Sequence, residues 1–67
     1  MIDIHLNGET RSLESHTDLA TLVERLSLPQ KRIAVELNGA VIRRVDWDAT
    51  PLSDGDKIEV VHFVGGG

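Results

Sequence analysis

The chain has 67 residues and no cysteine, so it forms at most one domain and has no disulfides or thiolate metal ligands. A domain this small is marginally stable without cross-links, so core packing alone must hold the fold. The net charge of −4 argues against a nucleic-acid binder, because phosphate neutralisation requires a basic surface.

The opening segment alternates apolar and polar residues with the period of two that is typical of a β-strand with one buried face. Its apolar positions are Ile2, Ile4 and Leu6. Asn7-Gly8 follows and is a strong signal for a tight hairpin turn, because both residue types tolerate positive φ. We therefore predict a return strand over residues 9–14, with Leu13 pointing inward.

A helical period then replaces the alternation. Apolar residues recur at spacings of three and four, which places them on one face of a helix. These residues are Leu19, Leu22, Val23 and Leu26. Thr17 is the predicted N-cap, with Asp18 at the positive end of the helix dipole, and a Ser15–Asp18 capping pair is the alternative. Leu28-Pro29 predicts the helix end, because the residue before proline is disfavoured in helical geometry.

Alternation resumes in the second half of the chain, at Ile33, Val35 and Leu37. Asn38-Gly39 predicts a second tight turn, and residues 40–43 a short following strand. Residues 45–53 have no regular period. Three apolar residues there are predicted to close the end of the core, with the tryptophan packing rather than stacking on a ligand. They are Val45, Trp47 and Leu52.

The last strand is predicted over residues 57–64, after a turn at Asp54-Gly55-Asp56. Alternation points Ile58 and Val60 toward the core, and Val61 and Phe63 away from it. The element order is strand, strand, helix, strand, short strand, strand. It predicts an α+β fold in which a mixed sheet of four to five strands packs on one helix. If the last strand lies beside the first, the centre of the sheet is parallel.

Three glycines, Gly65, Gly66 and Gly67, close the sequence after residues 1–64, which we predict to be the folded domain. Glycine stabilises neither a core nor a strand, but a chain without side chains can thread a narrow channel. Its terminal carboxylate is an ionised, poor electrophile at neutral pH. To react as an acyl group, this carboxylate must first be activated, most simply as an acyl-adenylate made from ATP. The sequence has no phosphate-binding glycine loop for that step, so a partner enzyme must supply ATP and Mg²⁺.

Several segments together resemble the ThiS family of ubiquitin-like sulfur carriers, over essentially the whole chain. These segments are Asn7-Gly8, the helix from Thr17 to Leu26, the stretch from Leu37 through Arg44 to Trp47, and the ending from Asp54 to Gly67. The resemblance implies a β-grasp fold with a flexible tail at residues 65–67. It also implies a protein co-substrate of thiamin thiazole biosynthesis that is not an enzyme and binds no cofactor.

The resemblance further implies which partners act on the tail. A ThiF-like enzyme would adenylate the carboxylate of Gly67, a cysteine-desulfurase system would supply sulfur to form a thiocarboxylate, and a ThiG-like thiazole synthase would receive that sulfur. Gly65 and Gly66 would thread the partner's active site. Beside the tail, Val61, Phe63 and Val64 are candidates for partner docking, because exposed apolar clusters often mark interfaces. Partial cover by a loop is the alternative for these side chains.

Other functions remain open. A carrier for molybdopterin synthesis or tRNA thiolation would use the same terminal chemistry, whereas a ubiquitin-like interaction module would bind through its sheet face. His5, His16 and His62 are too scattered for a zinc motif, so no metal site is expected. The sequence begins without the basic and apolar regions of a signal peptide and contains no membrane-length apolar run. A soluble, cytoplasmic protein is expected.

Overall fold

The computed structural model describes residues 1–63, in which five strands and one helix follow the predicted order. The strands are β1 (Ile2–Leu6), β2 (Glu9–Leu13), β3 (Ile33–Leu37), β4 (Ala40–Ile42) and β5 (Lys57–His62), and the helix is α1 (Leu19–Arg25). Two 3₁₀ segments, Gln30–Arg32 and Arg44–Ala49, complete the chain path. The α+β prediction is confirmed over these residues.

All five strands join in one sheet, with the order β2-β1-β5-β3-β4. The last strand therefore lies in the centre, parallel to β1 and antiparallel to β3. The register pairs Leu6 with Ile58 on one side of β5, and Leu37 with Ile58 on the other. The predicted parallel centre of the sheet is thus confirmed, and the strand that leads to the C-terminal glycines is held by a neighbour on each edge.

Both predicted Asn-Gly turns are confirmed. Asn7 and Gly8 have φ of 49° and 83°, and Asn38 and Gly39 have φ of 52° and 87°. Positive φ at both central residues gives the turn type whose twist matches antiparallel strands, and asparagine and glycine are the residues that tolerate it. These two turns fix the registers of the β1–β2 and β3–β4 hairpins.

The core lies between the sheet and α1, and it contains the predicted inward residues of both. Its buried members are Ile4, Leu6, Leu13, Leu19, Leu22, Val23, Ile33, Val35, Trp47, Leu52 and Ile58. Leu26, Leu37 and Val60 are half-buried at its margin. The alternation of strands and the three-four spacing of the helix therefore identified the core faces correctly.

The prediction that Val45 closes the core is wrong, since its side chain is 67% exposed. Residues 44–49 form a 3₁₀ helix rather than an irregular loop, and this geometry turns Trp47 inward while Val45 faces solvent. Trp47 is 2% exposed, and its indole Nε1 donates a hydrogen bond to the Ile42 carbonyl at 2.9 Å. The predicted packing roles of Trp47 and Leu52 are confirmed.

The predicted helix cap at Thr17, and the alternative at Ser15, are also wrong. Asp18 is the N-cap, and its carboxylate accepts a hydrogen bond from the Thr21 N–H at 2.7 Å. The Thr17 hydroxyl is turned back to donate to the Glu14 carbonyl, while the Thr17 carbonyl accepts from the Leu52 N–H. These bonds fix Thr17 in the approach to the helix, so the next acceptor along the chain becomes the cap.

The helix ends earlier than the proline requires. α1 stops at Arg25, Leu26 is its C-cap, and Ser27 has a φ of 56°. A left-handed residue just after the C-cap is a common way to reverse the chain at a helix end. The helix therefore ends before Pro29 is reached. The predicted helix end at Leu28-Pro29 lies a few residues too far toward the C-terminus.

Acidification should remove part of the stability that Asp18 contributes. The hydrogen bond from the Thr21 N–H holds the pKa of the Asp18 carboxyl below its ordinary value of 3.8. Because the folded pKa is the lower one, this contribution is complete above the unfolded value and is lost as the pH falls through the folded value. Asp18→Asn keeps a cap acceptor but cannot titrate.

We therefore expect Asp18→Asn to be less stable than the natural chain at pH 6, and this difference to shrink steadily below pH 3.8. Urea unfolding at a series of pH values measures it. A difference that stayed constant down to pH 2 would contradict the assigned cap.

Candidate functional site

The candidate site is the end of β5, where the chain leaves the centre of the sheet. β5 pairs with β3 up to His62, which lies opposite Ile33. The Phe63 N–H then donates to the Arg32 carbonyl at 2.7 Å, so the pairing continues one residue past the strand. The exit direction of the chain is thereby set by the beginning of β3.

The predicted tail itself lies outside the described residues. Val64, Gly65, Gly66 and Gly67 belong to this part of the chain. The division into a domain over residues 1–64 and a tail over 65–67 therefore stays a prediction, as do the roles of these residues. The described residues show which groups surround the base of the tail.

Val61 and Phe63 lie on the outer face of the sheet beside this exit, and each is 53% exposed. Their outward orientation was predicted from alternation and is confirmed. Ala34 lies opposite Val61 on β3, and Val41 lies on the same face of β4 and is 69% exposed. We call Val61, Phe63, Ala34 and Val41 the exit surface. The docking role of Val61 and Phe63 stays a prediction.

Charged residues lie next to the exit surface on the same face. Glu36, Lys57 and Glu59, together with Gly39, line a shallow depression toward the start of β5. The depression combines two carboxylates with one ammonium group and contains no serine, cysteine or histidine to act as a nucleophile or base.

The described residues contain no candidate metal centre. Within residues 1–63, no three or more histidine, aspartate or glutamate side chains lie close enough together to hold an ion. In the same part of the chain, no helix has the length and apolar character needed to cross a membrane.

One contact at the site is not apparent from the sequence. The Asn7 side chain reaches β5, where its Oδ1 accepts from the Val60 N–H at 2.8 Å and its Nδ2 donates to the Val60 carbonyl at 3.3 Å. The two residues are 53 positions apart. Asn7 was identified as a turn residue, but this second role depends on β1 and β5 being neighbours, which local patterns do not reveal.

Asn38 makes a related contact near the opposite end of β5. Its Oδ1 accepts from the Lys57 N–H at 2.9 Å, and its Nδ2 donates to the Asp56 carboxylate at 3.0 Å. Each Asn-Gly turn therefore contributes a carboxamide that binds the backbone of the central strand. Asn38 holds the strand where it begins, and Asn7 holds it shortly before the chain leaves the sheet.

Comparison with known proteins assigns the chain to a family. The model of the ThiS family matches residues 4–67. The sulfur carrier protein ThiS of Thermus thermophilus is 39% identical over 64 residues, which are 96% of this chain and 98% of that protein. Sulfur carrier protein ThiS of Bacillus subtilis is 35% identical over 65 residues, with 96% and 98% covered.

A longer relative also matches. Thiazole synthase of Magnetococcus marinus is 47% identical over 64 residues, which are 96% of this chain but 20% of the relative. A second thiazole synthase, from Paramagnetospirillum magneticum, is 32% identical and has 19% of its length covered. The chain thus spans about a fifth of the length of these two relatives.

Among solved structures, the crystal structure of thiamine biosynthesis protein ThiS from Geobacter metallireducens superposes with a TM-score of 0.84. Its sequence identity is 33%, and 98% of this chain and 100% of that one are covered. This likeness confirms the β-grasp fold that the sequence resemblance implied. By the family model, the full-length relatives and the shared fold, the chain belongs to the ThiS family.

Proposed function

We propose that this chain is a sulfur carrier of thiamin thiazole biosynthesis and acts as a protein co-substrate rather than as a catalyst. One observation carries the proposal. The central strand β5, held on both edges, leads into the terminal glycines, and the family match extends through Gly67. Full-length relatives in two bacteria are sulfur carrier proteins.

The proposed reaction occurs at the Gly67 carboxylate in two steps. A carboxylate oxygen first attacks the α-phosphorus of ATP, a new C–O–P linkage forms and pyrophosphate leaves. A sulfide-level sulfur nucleophile then attacks the acyl carbon, AMP leaves and a thiocarboxylate remains. A ThiF-like enzyme supplies the ATP and Mg²⁺ site. A cysteine-desulfurase system supplies the sulfur as a protein persulfide, and a thiol reductant cleaves its S–S bond, so that the sulfur leaves at the sulfide level and the thiol is oxidised to a disulfide.

The glycines suit this role because they remove every side chain from the segment that enters the partner. Three extended residues reach roughly 10 Å, which is enough to pass from a docking surface into a buried active site. The rigid sheet at the base of this arm limits the freedom lost on binding, which favours association. Gly65 and Gly66 are the proposed threading residues.

The proposed sulfur acceptor is a ThiG-like thiazole synthase. Two relatives named thiazole synthase contain a segment similar to 96% and 92% of this chain, which supports a link between carrier and synthase. Molybdopterin synthesis and tRNA thiolation are the rival destinations. Incubating the thiocarboxylated chain with each type of synthase distinguishes them. We expect thiazole synthase alone to discharge it efficiently, and discharge only by either rival enzyme would contradict the proposed pathway.

The first step is tested by pyrophosphate release. A ThiF-like enzyme with ATP and Mg²⁺ should release pyrophosphate only when this chain is added, in an amount that follows the chain concentration. The same preparation should act on a known ThiS protein, which establishes that the enzyme is active. With that activity established, no release on addition of this chain would contradict the proposal.

Phe63 is proposed to contribute to docking on the adenylating enzyme. Its side chain is half-exposed beside the exit and makes no part of the buried core. We expect Phe63→Ala to weaken partner affinity by about 1–2 kcal/mol, in the range of an aromatic interface residue. Folding stability should change by less than about 0.5 kcal/mol, as for an ordinary surface substitution. Titration calorimetry and urea unfolding measure the two effects.

Val45→Ala is the matched control for Phe63→Ala. Val45 is an exposed apolar residue on the 3₁₀ helix Arg44–Ala49 and is not one of the predicted docking residues. Its removal should leave partner affinity unchanged. If both variants lost affinity equally, or if Phe63→Ala lost as much stability as affinity, the docking role would be wrong.

A further inference from the structure

The edge of β5 that faces β1 is held by a succession of three bonding groups. The Asp56 carbonyl accepts from the His5 N–H at 2.8 Å, and the Ile58 carbonyl accepts from the Asn7 N–H at 2.9 Å. At Val60 the backbone of β1 has turned away, and the Asn7 carboxamide binds the Val60 N–H and carbonyl instead. The Asn7 side chain thus takes the place of a β1 backbone partner for Val60.

The opposite edge of β5 is held differently. Its pairing with β3 runs from Leu37–Ile58 to Ile33–His62 and then continues through the Phe63 N–H. Val60 is therefore the last residue of β5 with a partner on both edges within the described part of the chain. From Val61 to Phe63 only the β3 edge provides backbone partners in residues 1–63.

A strand bound on both edges cannot move within the plane of the sheet, whereas a strand bound on one edge can bend toward the open side. The Asn7 carboxamide sets the place where this freedom begins. The direction of the chain at Val60 is the starting direction of the segment that leads to Gly67, so it affects how often the Gly67 carboxylate reaches a reactive position. Reaction rates depend steeply on such placement.

We propose that Asn7 is a positioning residue for the carrier tail, and that it acts by holding Val60. This inference rests on the proposed carrier function. It goes beyond the turn role of Asn7, because the turn needs only a residue that tolerates a φ of 49°, which glycine also provides. The carboxamide atoms are surplus to the turn, and both of them bond to β5.

Asn38 provides the matched control. It also begins an Asn-Gly turn with positive φ and also binds a β5 backbone N–H through Oδ1, but at Lys57. Asn7→Gly and Asn38→Gly therefore remove equivalent side chains from equivalent turns. Only the former loosens the strand next to the exit. Asn7→Asp keeps an acceptor for the Val60 N–H, so it should retain part of the hold on Val60 that Asn7→Gly loses.

Amide hydrogen exchange of the two variants tests the structural half of the proposal. Asn7→Gly should speed exchange of the Val60 amide by at least about tenfold relative to that of Lys57, since an unbonded exposed amide exchanges through local opening. Asn38→Gly should instead speed exchange of the Lys57 amide relative to that of Val60. Equal acceleration of both amides in both variants, or unchanged exchange at Val60 in Asn7→Gly, would overturn the proposal.

Steady-state adenylation tests the functional half, at a temperature where both variants are fully folded. Asn7→Gly should lower kcat by roughly three- to tenfold more than Asn38→Gly, with KM changed less than about twofold, because docking is retained and placement is lost. Equal kcat values would overturn the positioning role. If the natural chain were not adenylated at all, the proposed function would fail, whereas exchange at Val60 would still show whether Asn7 holds the strand.

Discussion

Deleting Gly66 and Gly67 should abolish adenylation while the domain stays folded. The deletion would remove the proposed reactive position and shorten the arm, so under the proposed function no carboxylate would reach the ATP of the partner enzyme. The buried core runs from Ile4 to Ile58, so its packing does not depend on these glycines. Pyrophosphate release and the urea unfolding midpoint measure the two expectations. A ubiquitin-like interaction module would keep its partner binding and function after the same deletion.

A full-length chain with Gly67 converted to its carboxamide is the control for arm length. It keeps every residue but lacks an ionised oxygen to attack phosphorus, so it should also release no pyrophosphate. It should nevertheless compete with the natural chain for the adenylating enzyme, because the proposed docking residues are unchanged. Adenylation of the truncated chain at a rate near that of the natural one would contradict a role for the terminal carboxylate.

Ile58→Ala should destabilise the domain enough to unfold much of it. Ile58 has no exposed surface and lies in the central strand, paired with Leu6 and Leu37. Replacing a buried isoleucine with alanine costs about 2–5 kcal/mol, through lost burial and the cavity left behind. A core of this size supplies roughly 3–5 kcal/mol in total without cross-links. Thermal unfolding followed by circular dichroism measures the loss.

Val41→Ala is the comparison, since Val41 lies on the same sheet but is 69% exposed. Its stability should change by less than about 0.5 kcal/mol. If Ile58→Ala were as mild as Val41→Ala, the central position assigned to β5 would be wrong. Adenylation of Ile58→Ala should fall only in proportion to the unfolded fraction, which separates a folding effect from an effect on the tail.

Most of the fold could be predicted because local patterns agree with the global arrangement. Ile2, Ile4 and Leu6 alternate on a strand with one buried face, and the two Asn-Gly pairs consist of residues that tolerate the positive φ of a tight hairpin turn. The errors occurred where several local options have similar energies. Thr17 and Asp18 are both good caps, and the contact between the Thr17 carbonyl and Leu52 decided between them.

Prediction of the candidate site was more limited. Alternation along β5 placed Val61 and Phe63 outward, and the structure shows them exposed. The Asn7–Val60 contact could not be predicted, because it joins residues 53 positions apart and depends on the strand order. Periodicity does not determine which strands become neighbours, so long-range side-chain contacts with the backbone remain hidden in a single sequence.

The central claim is most directly tested by mass spectrometry of the chain after reaction with a ThiF-like enzyme, ATP, Mg²⁺ and a sulfur source. We expect the intact mass to rise by the difference between one sulfur and one oxygen atom, and fragmentation to place this change at Gly67. An unchanged mass with partners that charge a known ThiS protein, or a sulfur atom located elsewhere in the chain, would contradict the carrier function.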